Sequence, residues 1–228
     1  MSEWWSYRLS DFLLFSPRVY WRMFELYNEA IWPLQVPALA AGLGAITVVA
    51  LRPRHHGRPI AILLAILWAF VGWSFLWQRY ATINWAAVYV APIFGLQAAL
   101  FLILGGLFDR LTFDQRRTRR YVGVLLGAFA LAGYPLLAPL LGRPWAGAEI
   151  FGIAPDPTAI GTLGFLLLAR GRLALLLLPV PLLWCLLSGA TLWAMDVWEA
   201  WVPPAAGLLA VTAIFWRRAP TARALPGG

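Results

Sequence analysis

The sequence predicts an all-α, polytopic transmembrane helical bundle of about seven spans, six being possible, with an N-terminal amphipathic interfacial helix. Three observations lead there. Hydrophobic residues fill 61% of the 228 positions and charged residues only 12%, a balance that would leave a water-soluble domain with large exposed apolar patches. The apolar residues gather in runs of spanning length, parted by short turns that carry arginine. Fourteen tryptophans are present, and Trp4, Trp5, Trp32, Trp77, Trp145, Trp198, Trp201 and Trp216 stand near the ends of those runs. An indole has an apolar body and one wet edge, which suits headgroup depth. A lipid-facing belt is the reading for each, with substrate stacking as the alternative.

Taken in order, residues 1–30 read as an interfacial amphipathic segment without a cleavable signal. Ser16-Pro17 is a helix start, with a capping hydroxyl before proline at the first helical position. Val19, Met23, Leu26, Tyr27 and Ala30 then recur at helical spacing, opposite Arg18, Arg22, Glu25 and Glu29. Leu9 to Phe15 reads as a further short interfacial turn. Residues 31–216 form the transmembrane domain. Its first span, Ile31 to Leu51, is rich in small residues, and the second covers Pro59 to Trp77. The third, Asn84 to Phe108, contains Pro92 and Gln97. The fourth, Tyr121 to Leu141, carries Gly123 and Gly127 in a G-x-x-x-G arrangement that favours close helix approach. Span six, Leu173 to Met195, should bend at Pro179 and Pro181, and span seven runs from Val202 to Trp216. The tail, 217–228, reads as disordered.

The stretch from Gly152 to Met195 departs from this regularity. Only thirteen residues separate Asp156 from Arg170, or about 20 Å of helix against about 30 Å of hydrocarbon. Span five therefore crosses by recruiting Ile150 to Ala154, or it is re-entrant, or its neighbours shield it.

Arginine placement sets the orientation. All 18 basic residues are arginine, giving a net charge of +8, and thirteen of them lie in the turns after spans one, three and five and in the tail. Arginine on short loops marks the cytoplasmic side, so the N-terminus is expected outside and the C-terminus inside a bacterial inner membrane. This charge fits topology rather than nucleic-acid binding.

The inventory excludes several chemistries. No lysine is present, so a retinal Schiff base is closed to the chain. The histidines, His55 and His56, sit in a basic turn without further metal ligands, and Cys185 is single. Ser188 has no His or Asp near it in sequence, and no phosphate-cradling glycine motif is found. Neither a catalytic site nor a cofactor or metal is expected. Asp156-Pro157-Thr158 reads as a helix cap, or else as a cation or polar-solute contact at the mouth of a broken helix. Gln97 is the one strongly polar side chain at depth, where interhelical hydrogen bonding is its default role. Asp196 and Glu199, with Trp198 and Trp201, read as a solvated outer turn, with reception of a basic partner as the alternative. Any contact with a solute or a partner is expected at Asp156, Thr158, Gln97 and Tyr134.

Several short stretches resemble an uncharacterised family of bacterial multi-pass membrane proteins, a domain of unknown function. They are Tyr27-Asn28 with Trp32-Pro33, Ile83-Asn84-Trp85-Ala86-Ala87 with Gln97, Tyr134-Pro135, and Phe151-Gly152 leading to Pro157-Thr158 and Gly164. The resemblance implies a cysteine just before the Pro-Thr pair, where this chain has Asp156. It implies no activity, catalytic residue or cofactor. The function expected is an accessory or structural subunit that packs against other membrane proteins in the bilayer. The alternative is a small-solute permease or channel with a path near Asp156 and Gln97.

Overall fold

The computed structural model describes residues 15–51, 56–113 and 117–215. The expectations placed on Trp4, Trp5, Leu9 to Leu14, His55 and the chain from Trp216 onward lie outside these residues. The main helices are α1 (Pro17–Ala30), α2 (Gln35–Leu51), α3 (Gly57–Thr82), α4 (Ala87–Leu107), α5 (Arg119–Leu140), α6 (Pro155–Leu168), α7 (Arg172–Ala194) and α8 (Trp198–Phe215). A two-residue antiparallel ladder pairs β1 (Thr112–Phe113) with β2 (Ala169–Arg170). Helices α3, α4, α5, α7 and α8 are each long and apolar enough to cross a membrane. The pair α1 and α2 meets that test only together, bent by 92°.

Helix α1 starts as its residues dictate. Ser16 is extended, Pro17 opens the helix, and the Ser16 hydroxyl accepts from the Val19 N–H at 3.4 Å. Its packed face keeps Met23 and Tyr27 of the expected apolar stripe and is otherwise shifted. Tyr20, Met23, Phe24, Tyr27 and Asn28 are buried, whereas Val19 and Leu26 are close to half exposed. The aromatic stripe decides this. Phe24 stacks on Phe75 of α3 at 4.9 Å, and the Tyr27 hydroxyl donates to Ser74 at 3.1 Å.

Helix α6 is the axis of the fold. All fourteen of its residues are buried, and its most extensive partner is α5. At that contact backbone meets backbone. A Cβ on Gly164 would lie 2.7 Å from the Gly123 carbonyl oxygen and 2.8 Å from the Gly127 nitrogen. The G-x-x-x-G of α5 thus receives a third glycine: a Cβ on Gly123 would likewise meet the Gly164 carbonyl oxygen at 2.8 Å, whereas one on Gly127 would meet the Ile46 side chain of α2. At about 21 Å the helix is too short to cross alone, and the chain before it makes up the length. Phe151, Ile153 and Ala154 are as buried as the helix, so non-helical backbone descends into the protein before α6 begins. Irregular backbone at such depth is tolerated only where protein shields it.

Two ends of the bundle follow from the loops. One holds the starts of α3, α5 and α7 and the ends of α2, α4, α6 and α8. The Arg119 guanidinium there donates to the Ile214 carbonyl at 2.6 Å and that of Arg120 to the Ala50 carbonyl at 3.1 Å, while β1 and β2 join the turns after α4 and α6. Helix α1, the loop at 142–154 and the turn between α7 and α8 gather at the other end.

Candidate functional site

Asp156 lies 1% exposed in the first turn of α6. Its side chain does not cap the helix, which corrects the expectation. The helix starts two residues earlier than that cap would set it, at Pro155 after Ala154, and Thr158 does the local work. The Thr158 hydroxyl accepts from the Gly152 N–H at 2.8 Å and donates to the Ala154 carbonyl at 2.6 Å. Gly152 is at φ +78, in the left-handed region that favours glycine, so Thr158 staples a turn that only this residue adopts cheaply.

Released from capping, the Asp156 carboxylate reaches two other helices. Oδ2 accepts from the Tyr134 hydroxyl of α5 at 2.6 Å and from the Ser188 hydroxyl of α7 at 2.7 Å. Oδ1 accepts from the Trp184 indole N–H at 2.7 Å. Local sequence explains how these donors converge. Trp184 and Ser188 are four apart and share one face of α7. Tyr134 follows a π-helical stretch, Phe129–Gly133, just before Pro135, and such a stretch re-aims the side chains beside it. Ser188 therefore does have an aspartate next to it, contrary to the expectation from sequence proximity. No histidine completes a nucleophilic set among the described residues, and the hydroxyl is held as a donor to the carboxylate.

The contacts continue around α6. Trp184 meets Phe94 of α4 edge-on at 5.1 Å, Phe94 tilts against Trp68 of α3 at 4.4 Å, and the Trp68 indole donates to Thr162 of α6 at 2.9 Å. A ring through four helices thus leaves α6 at Asp156 and rejoins it at Thr162. Gln97, 1% exposed, stands apart from it. Its amide donates to the Leu177 carbonyl at 3.0 Å, the group that the missing N–H of Pro181 leaves without its helical donor. Of the four expected residues, the structure unites Asp156 with Tyr134, gives Thr158 a turn, and gives Gln97 the α7 bend.

A second polar cluster lies towards the end that carries α1, and the sequence did not announce it. Arg143 forms a close ion pair with Glu199, 6% exposed, and its guanidinium lies 3.5 Å from the centroid of the Trp21 ring. Glu199 is thus no part of a solvated turn; pairing with a residue 56 positions away overrides its local setting. Glu149 is 5% exposed and has no ion pair among the described residues, which leaves its Oε2 enclosed and without a partner, as is Nη1 of Arg143. Burial, and then the Asp156 carboxylate, push the Glu149 carboxyl well above its ordinary value, and Arg143 opposes them. Asn28 anchors α1 here by donating to the carbonyls of Ala146 at 2.6 Å and Ala148 at 2.8 Å. Among the described residues no group of three or more His, Cys, Asp or Glu gathers as a metal site would.

A family model described as a family of unknown function (DUF6064) matches residues 17–224. The chain belongs to this family. The match covers both polar clusters and every main helix named above, so the resemblance read from short motifs holds over nearly the whole chain. No curated protein and no solved structure matches the chain.

Proposed function

We propose that the protein is an integral protein of a bacterial plasma membrane, an accessory or structural subunit that packs against other membrane proteins and performs no chemistry of its own. The supporting observation is where its apolar surface lies. Leu43, Ile66, Leu96, Leu125, Leu183 and Leu208, one on each of α2, α3, α4, α5, α7 and α8, are 56% to 69% exposed. Leucine or isoleucine turned outward on six helices of one bundle calls for lipid or apolar protein as solvent. The interior supports a holding role, because the protein's own donors occupy both Asp156 oxygens. In this reading the chain crosses seven times, with α6 and the buried non-helical stretch before it as the fifth crossing. The N-terminus lies outside, the C-terminus is cytoplasmic, and α1 lies along the interface.

Cysteine labelling tests the topology, because Cys185→Ser removes the only thiol. In that background an impermeant maleimide on intact cells should label Trp145→Cys, and should reach Gly171→Cys only after permeabilisation. Labelling of both from one side would sink the seven-crossing topology. Mild-detergent purification tests the role: a stoichiometric complex is expected, and a monodisperse lone monomer counts against it. The second reading, a small-solute permease, is favoured by the unpartnered atoms of Glu149 and Arg143, Glu149 being near enough to Asp156 to feel its charge. Its mark is a proton flux in proteoliposomes, reported by an entrapped pH dye and lost in Asp156→Asn; equal leak with and without the protein removes it.

A further inference from the structure

We propose that residues 142–152 form a lid at the α1 end of the bundle, shut while the Glu149 carboxyl is neutral and released when it gives up its proton. The inference goes beyond both functional readings and depends on neither. Each end of the segment is a pivot. Gly142 and Gly152 both have φ +78, in the left-handed region where glycine moves at little steric cost, and a Cβ on Gly142 would meet nothing within 4 Å. Each pivot also has an anchor beside it. Arg143 pairs with Glu199 and lies over the Trp21 ring, and Thr158 holds the Gly152 N–H. Between the anchors, Asn28 of α1 clamps the lid by donating to the Ala146 and Ala148 carbonyls. Glu149 follows the second of these carbonyls directly, so displacing Glu149 pulls on the clamp.

The surroundings of Glu149 suit a neutral acid and not a charged one. Its Oε2 is enclosed and has no partner among the described residues. The lid supplies one cation, Arg143, which is already committed to Glu199 from the start of α8. Helix α6 supplies Asp156, and the three donors that end on its two oxygens mark it as the carboxylate. Helix α5 supplies the Tyr134 hydroxyl, and α1 supplies Tyr20 together with the Arg22–Glu25 pair, whose Glu25 lies against Gly147. An ionised Glu149 would thus meet two carboxylates and one shared guanidinium, with little water to screen them. Burying a charge without a partner of its own is far more costly than burying the neutral acid. Burial and the Asp156 carboxylate accordingly push the Glu149 carboxyl well above its ordinary value. Once ionised, Glu149 moves out to water and draws the Ala148 carbonyl off Asn28, while Arg143 stays with Glu199 at the pivot. The place that it leaves adjoins Tyr134 and Asp156, both near enough to interact with it.

The test measures the distance from the lid to the bundle by pulsed electron paramagnetic resonance on the full chain. In a Cys185→Ser background, nitroxides are placed at Trp145→Cys in the lid and Leu208→Cys on α8, both exposed positions. A proton that holds the lid shut makes opening more favourable by up to about tenfold per pH unit above the ordinary carboxyl value, so a longer-distance population should grow at least roughly tenfold between about pH 5 and about pH 8. Leu183→Cys with Leu208→Cys, both exposed and both within the bundle, should keep one distance throughout. Glu149→Gln, uncharged at either pH, should keep the short lid distance at the higher one. A lid distance that does not change with pH, as pairing of ionised Glu149 with Nη1 of Arg143 would give, overturns the proposal. So does a Glu149→Gln lid that opens as far as the unsubstituted one, because the proton then belongs to another group. The pH comparison needs no change at Glu149 and decides the matter even where the glutamine variant does not fold.

Discussion

Replacing Asp156 by leucine removes one side chain and strands three buried donors. The Tyr134 and Ser188 hydroxyls and the Trp184 indole N–H all end on its carboxylate. Each unsatisfied buried donor costs about 1–3 kcal/mol, so Asp156→Leu should lose at least about 3 kcal/mol. For a chain of this size that lowers the melting temperature by about 6–12 °C. The informative step is the rescue. Adding Tyr134→Phe and Ser188→Ala to Asp156→Leu deletes two of the stranded donors, and removing both partners of a buried hydrogen bond is far cheaper than removing one. The triple variant should regain about 2 kcal/mol over Asp156→Leu alone and keep only the Trp184 penalty. Thermal unfolding of purified protein, followed by tryptophan fluorescence in one detergent, gives the comparison. If the triple variant melts no higher than Asp156→Leu, the carboxylate is not the acceptor that these groups need, and the argument fails.

Three further outcomes are expected. Gly164→Ala places a methyl against the backbone of Gly123 and Gly127 and should destabilise by about 1–3 kcal/mol, whereas Gly95→Ala, with open space around it, should stay within about 0.5 kcal/mol of wild type; equal melting of the two contradicts the close contact. Gln97→Leu orphans the Leu177 carbonyl at about 1–3 kcal/mol, and adding Pro181→Ala restores an N–H at the helical position and should recover most of it; no recovery refutes this role for Gln97. Glu149 has a folded pKa raised above its unfolded one, so its contribution is complete below the unfolded value near 4.5 and is lost as pH rises through the folded value. Glu149→Gln should therefore gain melting temperature over wild type progressively above pH 4.5, and a difference that stays flat with pH refutes the buried neutral acid.

The parts of the fold written in short-range patterns were legible in the sequence. Ser16-Pro17 starts a helix because the cap and the proline act within one turn. Gly123 and Gly127 announce a close contact because spacing alone puts them on one face. The thirteen residues after Asp156 are too few to cross by themselves, and α6 is indeed enclosed on all sides. What failed was choosing between two sufficient local explanations. Asp-Pro-Thr satisfies the rules for a helix start, so nothing local revealed that Thr158 would staple the turn and free Asp156 for α5 and α7. Along α1, the expected stripe of Val19, Met23, Leu26, Tyr27 and Ala30 and the buried one of Tyr20, Met23, Phe24 and Tyr27 share Met23 and Tyr27, and only the partners Phe75 and Ser74 of α3 choose between them. Glu199 looked solvated because its partner, Arg143, comes from another loop. The spacing of Trp184 and Ser188 was visible, but a shared face does not say what it faces.

The ring from Asp156 through Trp184, Phe94 and Trp68 to Thr162 has a consequence for the order of assembly. Synthesis delivers Trp68 and Phe94 first, then the segment with Asp156 and Thr162, and Trp184 and Ser188 last. Until α6 arrives, the Trp68 indole has no Thr162 to bond. Until α7 arrives, the Asp156 carboxylate has only Tyr134. A short segment with a half-satisfied acid is a poor candidate for release into lipid by itself. In the proposed membrane reading, α6 and α7 are then expected to enter the bilayer together, because only α7 brings the Trp184 and Ser188 donors that complete Asp156.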